Sequence, residues 1–535
     1  MFDVSEDWVV SAPVVAGEGH DEPAAPRVRR RLTRAQVLRR LIAAGAALAV
    51  GLTSWGVTAA VDRHERAQRL ASAPGGVLDL SHPLETTWEA EADSGLLFAP
   101  ELVVVRRGTA LHGLDARTGD ERWQVEVGGD PVCDTSTWML PGIGRAQDPI
   151  VCVDRTGQSV TAIHPDGTFA RRELPSGLEE ALPATDGGLL TMTLAGPFRT
   201  SDVRVEQNEL GAYQVVGEMP SDGPDAVLRL EDAATGEARW ERTVAYRPLD
   251  DVMSCGAWIV DPEDPDGLPR LDVYRTTFTV DRSFVSLSSC FWNALLGGDG
   301  ALLASGARAT WGTWPVAEGG FVEYFSEGPY NRTRLRAPDG TLVATFDGTF
   351  QQPLATDGTG RDVRLIGAYD EPLRRVTDAG ETLWTAEDSV QNVLVRAAGV
   401  VVVVRAVDRT LAGIDLASGE TLWTRAGTPS SERPWYETSG SVQAAFTDGT
   451  LGLVVYDEVT MDGGPQAQMY AEHPTHLVAF DLRTGEVRWE ADRAEGEISR
   501  LYAAEGRLVE FVPGPSTVED GTVVSPATVT VRALR

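Results

Sequence analysis

The stretch "LAGIDLASGETLW", residues 411–423, occurs three times in the chain in nearly the same form. Its relatives are "LHGLDARTGDERW", 111–123, and "LVAFDLRTGEVRW", 477–489. Chance would produce even one such five-position match on the order of a few times in a thousand chains, so repeated copies indicate duplication. Aligned on the aspartate, four copies carry Thr or Ser at the third following position, then Gly, an acid and, at the eighth, Trp: Asp115, Gly119 and Trp123; Asp232, Gly236 and Trp240; Asp415, Gly419 and Trp423; Asp481, Gly485 and Trp489.

Each repeated residue type has a physical role in a β-hairpin. Apolar residues ahead of the aspartate alternate as in a strand, and the Asp side chain can accept hydrogen bonds from backbone N–H groups of the turn. Glycine supplies the positive φ at which the chain reverses. Tryptophan begins the next strand and brings enough aromatic area to bury one sheet against its neighbour. The pattern predicts architecture rather than chemistry.

Weaker copies lie between the strong ones. "VTDAGETLW", 376–384, keeps Gly380 and Trp384 with a shorter turn, and Asp-Gly turns occur at 163–169, 336–342 and 297–303. The spacing of about forty to seventy residues, with apolar runs such as 399–407 between the turns, predicts an all-β fold, a β-propeller of four-stranded blades.

The two ends of the repeat region predict how the propeller closes. After Trp489 three strand-like runs remain, whereas "LETTWEAEA", 84–92, resembles a Trp-bearing outer strand without the three that should precede it. We therefore expect the N-terminal strand to complete the C-terminal blade, which removes an open sheet edge.

The Asp-x-x-Thr-Gly-Glu-x-x-Trp pattern resembles the tryptophan-docking repeat of the quinoprotein, or PQQ-like, β-propellers, over residues 84–535. The resemblance implies about eight blades, while the repeats themselves allow seven to nine. WD-type propellers are the alternative, but no Gly-His pair precedes these tryptophans. The family contains dehydrogenases that hold pyrroloquinoline quinone (PQQ) on the central axis and non-catalytic relatives that act as binding scaffolds.

Features that the resemblance implies for the dehydrogenases are missing from the sequence. The alcohol-oxidising members typically carry two adjacent cysteines, and the glucose-type members use lysine and histidine; this chain has no adjacent cysteines and no lysine. Calcium would need several oxygen ligands, none of which the sequence identifies. We therefore predict no cofactor, with PQQ and calcium as the alternative.

Residues 41–61, "LIAAGAALAVGLTSWGVTAAV", form an uncharged run long enough to cross a bilayer as a helix. Seven arginines precede the run within 27–40, and three follow it closely, so the positive-inside rule places the N-terminus in the cytoplasm. A cleaved signal peptide, a lipoprotein and a buried core helix are the alternatives; the run starts late for a signal peptide, no cysteine follows it directly, and it has no polar face. The predicted order is an acidic cytoplasmic tail over 1–26, a basic segment over 27–40, a transmembrane helix over 41–61, a linker over 62–83 and the extracytoplasmic propeller over 84–535.

Cysteine content agrees with that location. Cys133, Cys152, Cys255 and Cys290 all follow the apolar run, and an even count suits a compartment in which disulfides persist. Pairing Cys133 with Cys152 and Cys255 with Cys290 would keep each bridge local, although spacing alone does not determine connectivity. A zinc site would need closer spacing and histidine neighbours.

The remaining candidates for chemistry are few. The net charge of −32 disfavours a nucleic-acid partner, and the absence of lysine excludes Schiff-base and P-loop mechanisms. His473 and His476 could bind a metal but are more simply a pair of loop histidines, and 261–267 reads as an acidic insertion rather than a calcium loop. Asn331 fits a glycosylation sequon, and His112 and His164 read as strand residues. We predict a membrane-anchored, non-catalytic binding or scaffold protein of the cell envelope with a protein or envelope partner; a PQQ-dependent dehydrogenase is the alternative.

Overall fold

The computed structural model describes residues 61–535 except for 130, 134–145, 156–157, 198–202, 208–212, 250–254, 260–269, 306–311, 317–318, 328–329, 369–370, 426–440, 458–474, 493–499, 515–516, 520–521 and 525–527. Residues 61–72 are helical, and Glu65–Arg535 forms one compact unit. The predicted tail 1–26, the basic segment 27–40 and all but the last residue of the predicted transmembrane helix 41–61 lie outside the described residues. Among the residues described, no helix is long and apolar enough to cross a membrane.

Almost all the regular structure is antiparallel sheet, with strands numbered in chain order and grouped here into four-stranded blades. The N-terminal strand is β1 (Thr86–Ala92). Blade 1 contains β2 (Ser94–Ala99), β3 (Leu102–Arg107), β4 (Ala110–Asp115) and β5 (Glu121–Glu126). Blade 2 contains β6 (Pro131–Val132), β7 (Ile150–Asp154), β8 (Ser159–Ile163) and β9 (Phe169–Glu173). Blade 3 contains β10 (Glu180–Ala184), β11 (Gly188–Leu194), β14 (Ala226–Asp232) and β15 (Ala238–Val244), with the hairpin β12 (Arg204–Gln207) and β13 (Tyr213–Val216) inserted.

The hairpin β16 (Ala257–Ile259) and β17 (Arg270–Asp272) precedes blade 4, which contains β18 (Thr277–Val280), β19 (Phe284–Ser288), β20 (Asn293–Gly297) and β21 (Leu302–Ser305). Blade 5 contains β22 (Thr313–Pro315), β23 (Phe321–Glu327), β24 (Tyr330–Arg336) and β25 (Leu342–Asp347). Blade 6 contains β26 (Thr349–Phe350), β28 (Arg364–Ala368), β29 (Glu371–Val376) and the first half of β30 (Thr382–Ala397); the short β27 (Ala355–Thr356) pairs in parallel with the second half of β30.

Blade 7 contains that second half of β30, β31 (Val400–Arg405), β32 (Leu411–Asp415) and β33 (Thr421–Arg425), so one sixteen-residue strand serves two blades. Blade 8 contains β34 (Ser441–Thr447), β35 (Leu451–Asp457), β36 (Thr475–Asp481) and β37 (Val487–Asp492). Blade 9 contains β38 (Arg500–Ala504), β39 (Arg507–Pro513), β42 (Val529–Leu534) and β1, with the hairpin β40 (Thr517–Glu519) and β41 (Thr522–Val524) inserted. The described residues thus form nine four-stranded blades, one more than the resemblance implies.

The blades close into a ring through apolar clusters that each join one blade to the next. Phe284 of blade 4 packs with Phe321 of blade 5, for example, and Val404 of blade 7 packs in the same cluster as Val454 of blade 8. At the seam, Thr86 pairs with Leu534 and Trp88 with Ala533, so the strand predicted over 84–92 completes the C-terminal blade. Both ends of the repeat region are therefore covered by a neighbouring strand.

The blade topology places two sets of turns at opposite ends of each blade. The turn between the first and second strands and the turn between the third and fourth strands lie at one end, which we call the turn face. Blade 8 shows both, at 448–450 between β34 and β35 and at 482–486 between β36 and β37. The inserted hairpins of blades 3 and 9 connect the second and third strands, and therefore lie at the other end.

The segment expected to be a linker, 62–83, is built into the ring. Leu70, Val77 and Leu80 are each at most 2% exposed. Val77 donates its backbone N–H to Thr447 O at 2.9 Å, and Leu78 donates to Gly506 O at 2.9 Å. The segment carries no repeat pattern, and its sequence therefore reads as a linker. Its apolar residues become buried only because the turns of blades 7 to 9 lie beside them in the folded chain.

Candidate functional site

The repeated turn is closed by its aspartate, as blade 7 illustrates. Asp415 Oδ1 accepts the backbone N–H groups of Ala417 at 2.9 Å and Ser418 at 2.8 Å. Gly419 has a φ of 78° and donates its N–H to Asp415 O at 2.8 Å. Asp115, Asp232 and Asp481 make the same pair of bonds in blades 1, 3 and 8.

These bonds stabilise the charged carboxylate. The backbone N–H of Ser418 lowers the pKa of Asp415. In blade 1 the side chain of Arg122 bonds the carboxylate, and this contact and the N–H of Arg117 lower the pKa of Asp115 to about 2. A carboxylate held in this way is ionised at neutral pH and accepts hydrogen bonds from its own turn, so the four aspartates stabilise the turn.

The repeated tryptophans, with the exception of Trp489, pack on the turn of the next blade rather than on the turn of their own blade. Trp384 of blade 6 donates its indole N–H to Leu416 O at 2.9 Å, and a Cβ built on Gly419 would lie 2.8 Å from Trp384 Cγ. Trp423 docks on blade 8 in the same way, through Leu482 O at 2.9 Å and the surface of Gly485. The Gly and the Trp of one repeat therefore have different partners. In blade 7 the Gly lies under the Trp of the preceding blade, and the Trp packs on the turn of the next blade.

The same docking occurs at three other blade junctions. Trp123 donates to Pro165 O at 3.0 Å, and Trp240 donates to Gly298 O at 3.0 Å. At the seam Trp88 donates to Ala116 O at 3.3 Å and covers Gly119. Indole rings and turn glycines thus lock successive blades around the ring.

Two strand glycines that sequence reasoning missed make room for these rings. Gly113 pairs with Trp123 across the strands, and Gly413 pairs with Trp423. A Cβ on either glycine would lie 2.2 Å from an indole atom. The signal was present, because both glycines stand two residues before the repeat aspartate.

At two junctions a different side chain replaces tryptophan. Between blades 2 and 3, Arg172 donates Nε–H to Ala233 O at 2.9 Å, pairs with Glu231 and lies against Gly236. Between blades 4 and 5, Leu303 covers Gly340. The docking position therefore accepts a guanidinium or an aliphatic group as well as an indole.

Between blades 8 and 9 the N-terminal segment takes the place of a repeat turn. Trp489 donates its indole N–H to Leu80 O at 2.7 Å, and Leu80 itself is fully buried. Asp448 holds the same segment, because its Oδ2 accepts the N–H of Leu80 at 3.2 Å and its carbonyl accepts Arg66 at 2.7 Å. The short turn at Gly506 carries no repeat aspartate, and Leu78 covers it.

Both pairs of cysteines form disulfides. Cys133 is bonded to Cys152 of β7, and Cys255 is bonded to Cys290 in the loop between β19 and β20. Cys290 is fully buried beside the aromatic residues Phe291 and Trp292. The second bridge therefore ties the segment carrying the β16–β17 hairpin to blade 4.

Three of the described histidines, His112, His164 and His476, each lie beside one carboxylate. Nδ1 of His112 lies 2.9 Å from Glu121 Oε2, that of His164 lies 3.2 Å from Asp148 Oδ1, and that of His476 lies 2.5 Å from Asp492 Oδ1. His473 and the acidic segment 261–267 lie outside the described residues, and Asn331 lies on β24. No triad of nucleophile, base and orienting acid emerges from these pairs.

We compared the described side chains with what PQQ and calcium would need. Within the described part of the chain no three His, Cys, Asp or Glu side chains are grouped so that they could hold a metal ion. The two disulfides each join cysteines far apart in sequence rather than adjacent ones, and the chain has no lysine. These residues do not fit a PQQ–calcium site, and we derive no reaction step through one.

Comparison with known proteins agrees with the repeat. Residues 334–524, which contain blades 6 to 8, match the family described as outer membrane protein assembly factor BamB. In its ring of four-stranded blades and its tryptophan-docking turns, the chain is similar to the PQQ-like β-propeller proteins. No curated protein matches it.

Three of the solved structures with detectable similarity to this chain are the following. BamB from Moraxella catarrhalis is 13% identical, with 84% of this chain and 100% of that chain covered and a TM-score of 0.35. Quinohemoprotein alcohol dehydrogenase from Comamonas testosteroni is 12% identical, with 84% and 76% covered and a TM-score of 0.33. A europium-containing methanol dehydrogenase is 11% identical, with 84% and 93% covered and a TM-score of 0.34.

Proposed function

We propose that this protein is a membrane-anchored, extracytoplasmic scaffold that binds a protein partner of the cell envelope and catalyses no reaction. The observation that carries the proposal is the use of the repeat residues. The turn aspartates bond their own backbone, and the tryptophans dock blade on blade. The repeat aspartates and tryptophans therefore stabilise the ring of blades.

The sequence and the disulfides support the proposed location. Residues 41–61 have the length and the flanking arginine asymmetry of a single transmembrane helix with its N-terminus in the cytoplasm. Two disulfides suit an oxidising compartment. On this proposal the propeller lies outside the membrane and the tail 1–26 lies inside.

The kind of partner is suggested by the family match. The matched family is described as an assembly factor for outer membrane proteins. We propose a protein partner of the envelope for this chain. The net charge of −32 makes a polyanionic partner unfavourable, and a partner with a basic surface would be attracted.

The first test separates scaffold from dehydrogenase. The full chain, purified in detergent with its disulfides oxidised, is titrated with PQQ plus calcium while melting temperature and absorbance are followed. A ligand that binds only the folded state raises the melting temperature by mass action. We expect no saturable shift; a saturable shift with a new quinone absorbance would replace the scaffold by a quinoprotein.

The second test concerns location and partner. Cells expressing the full chain are treated with a membrane-impermeant cross-linker, and adducts are identified by mass spectrometry. We expect a specific protein adduct formed through the propeller. An intact propeller that is inaccessible to the reagent until the membrane is permeabilised would contradict the extracytoplasmic location.

A further inference from the structure

Among the residues that the structure describes, one docking position of the ring lacks a covering side chain. Five turn glycines lie under a tryptophan of the preceding blade, and Gly236 and Gly340 lie against Arg172 and Leu303. On the turn of blade 6, a Cβ built on Gly380 would meet no atom of the described part of the chain within 4 Å. Gly380 is exposed, whereas the covered turn glycines are buried or half-buried: Gly119, Gly167, Gly236, Gly300, Gly340, Gly419 and Gly485.

Two residues on the outer strand of blade 5 account for this. Ala344 pairs with Leu335 directly before a β-bulge. Trp123 and Trp423 occupy the same position relative to a bulge, where they pair with Gly113 and Gly413. Ala344 thus stands where a docking blade carries tryptophan. Its methyl group packs into the core between blades 5 and 6 and does not reach over the turn. Blade 4 also has an alanine, Ala304, in the tryptophan register, but there Leu303 covers the turn, whereas the corresponding residue of blade 5, Val343, does not come within 4 Å of a Cβ on Gly380.

The receiving turn keeps the geometry of an occupied one. Gly380 has a φ of 82° and donates its N–H to Thr377 O at 2.9 Å, as Gly167 donates to His164 O at 2.9 Å in blade 2. The next carbonyl in that turn of blade 2, Pro165 O, accepts the indole N–H of Trp123. By the same register, Asp378 O is the acceptor that blade 6 offers.

The side chains around the turn favour a ligand that has both an apolar group and a positive charge. Leu342, Val343 and Leu383 are 48%, 39% and 53% exposed, and they flank the alanine and the turn in sequence. Asp378 and Glu381 are exposed acids on the turn itself. Arg364 bonds Asp378 Oδ1 at 2.9 Å, so part of that charge is already balanced within the ring.

We propose that the blade 6 turn, 377–381, together with β25, is a docking site for a tryptophan side chain on a protein partner, presented by a segment with basic residues beside it. The indole lies over Gly380 and donates its N–H to Asp378 O, and the basic residues meet Asp378 and Glu381. This site rests on the proposed function and names the chemistry by which the scaffold recognises its partner. The ring itself supplies the precedent, because the same turn receives an indole at five other junctions.

The test uses the full chain in detergent and a fluorescein-labelled peptide, Gly-Arg-Gly-Trp-Gly-Arg-Gly-amide, in an anisotropy titration. The matched control peptide has alanine in place of tryptophan. We expect saturable binding of the tryptophan peptide and at least about tenfold weaker binding of the alanine peptide, since a buried aromatic anchor dominates such contacts. Low salt is used because the charge contribution is screened.

Two variants then locate the site. Ala344→Trp supplies the indole from within the ring and should lower peptide affinity at least about tenfold while the melting temperature stays level or rises. Gly380→Asn, which tolerates the left-handed backbone, blocks the same surface and should also lower affinity. Thr345→Trp, at an exposed position next to Ala344, is the matched control and should bind as the parent does.

Three results would overturn the site: no saturable binding, equal binding of both peptides, or unchanged affinity in Ala344→Trp and Gly380→Asn variants that remain folded. A concentration-dependent dimer that Ala344→Trp abolishes would show that a second copy occupies the site, which would overturn the assignment to a partner. If cross-linking still captures an envelope protein while the peptide fails, only the docking site is lost and the scaffold function stands.

Discussion

At the scale of single residues, the recurring contact is an indole ring on the turn glycine of the next blade. Trp423 illustrates the bonds involved, since its N–H reaches Leu482 O and its ring covers Gly485. The glycine must also keep a φ of 70°, which few other residues adopt at low cost. Each junction therefore depends on two residues from different repeats.

Trp423→Ala should lower the free energy of unfolding by about 3 to 5 kcal/mol, because it removes a large packed side chain. Chemical denaturation monitored by circular dichroism measures the loss. Trp314→Ala is the matched control, since Trp314 is 41% exposed and its removal should change little. A Trp423→Ala protein with the parent's unfolding midpoint would contradict the docking role.

A pair of glycine substitutions separates the indole contact from backbone strain. Gly419 and Gly380 have nearly equal φ values of 78° and 82°, but only Gly419 lies under a tryptophan. Gly419→Ala should therefore be less stable than Gly380→Ala by about 1 to 3 kcal/mol, the usual cost of overpacking. Equal losses of unfolding free energy in the two variants would mean that the ring of Trp384 moves aside without cost.

The turn carboxylates predict sensitivity to acid. The pKa of Asp115 is about 2 in the folded chain, below the value of roughly 3.9 for an unfolded aspartate. Its stabilising contribution is therefore complete above about pH 4 and is lost as pH falls towards 2. Asp115→Asn should show a shallower fall of unfolding free energy over that interval; a slope identical to the parent's would show that the carboxylate does not contribute.

At the scale of elements, the segment 65–82 is the piece that repeat logic does not supply. It lies along the turn face of blades 7 to 9, bonded through Pro74, Gly75 and Val77 to Thr356 and Thr447. It also receives Trp489 in place of a repeat turn. What reads as a linker is therefore a structural part of the ring.

Leu80→Ala should lower the free energy of unfolding by about 2 to 5 kcal/mol, because Leu80 is fully buried among residues of blade 8. Leu78→Ala is the comparison, since Leu78 is 49% exposed and should lose less than half as much. Thermal unfolding of both variants gives the answer. If neither changed stability, the segment would be a tether and not part of the fold.

At the scale of the whole molecule, closure joins the two ends of the repeat region in one blade. β1 pairs with β42, and Trp88 docks on blade 1, so strands separated by more than four hundred residues lie side by side. Such long-range pairing gives β42 a strand partner on both sides and couples the ends of the repeat region to the core.

Hydrogen exchange measures this coupling. If the seam is an integral junction, backbone amides of β1 that bond β42 should be protected to the same degree as the interior amides of β32, and should exchange with global unfolding. The helical residues 65–72 provide the comparison within the same chain. Exchange of β1 at the rate of a frayed terminus, while β32 stays protected, would show that the ring opens at the seam.

Much of this architecture was predictable because it is encoded locally and repeatedly. Asp415, Gly419 and Trp423 form a turn and begin a strand through contacts within a few residues, and repetition makes the signal stand out. The strand at 84–92 was recognisable for the same reason. The even number of cysteines and the arginine-flanked apolar run likewise depend only on local composition.

Only the tertiary structure decided how these pieces are combined. In the folded chain the docking tryptophans pack on glycines of the next blade, and residues 65–82 lie on the turns of blades 7 to 9. The described residues form nine blades, two of which share β30. The fold also leaves Gly380 without a covering side chain among the described residues, because neither Ala344 nor Val343 of blade 5 reaches the turn. These features depend on residues far apart in the chain that meet only when the ring closes, whereas a turn is determined by residues that are already neighbours.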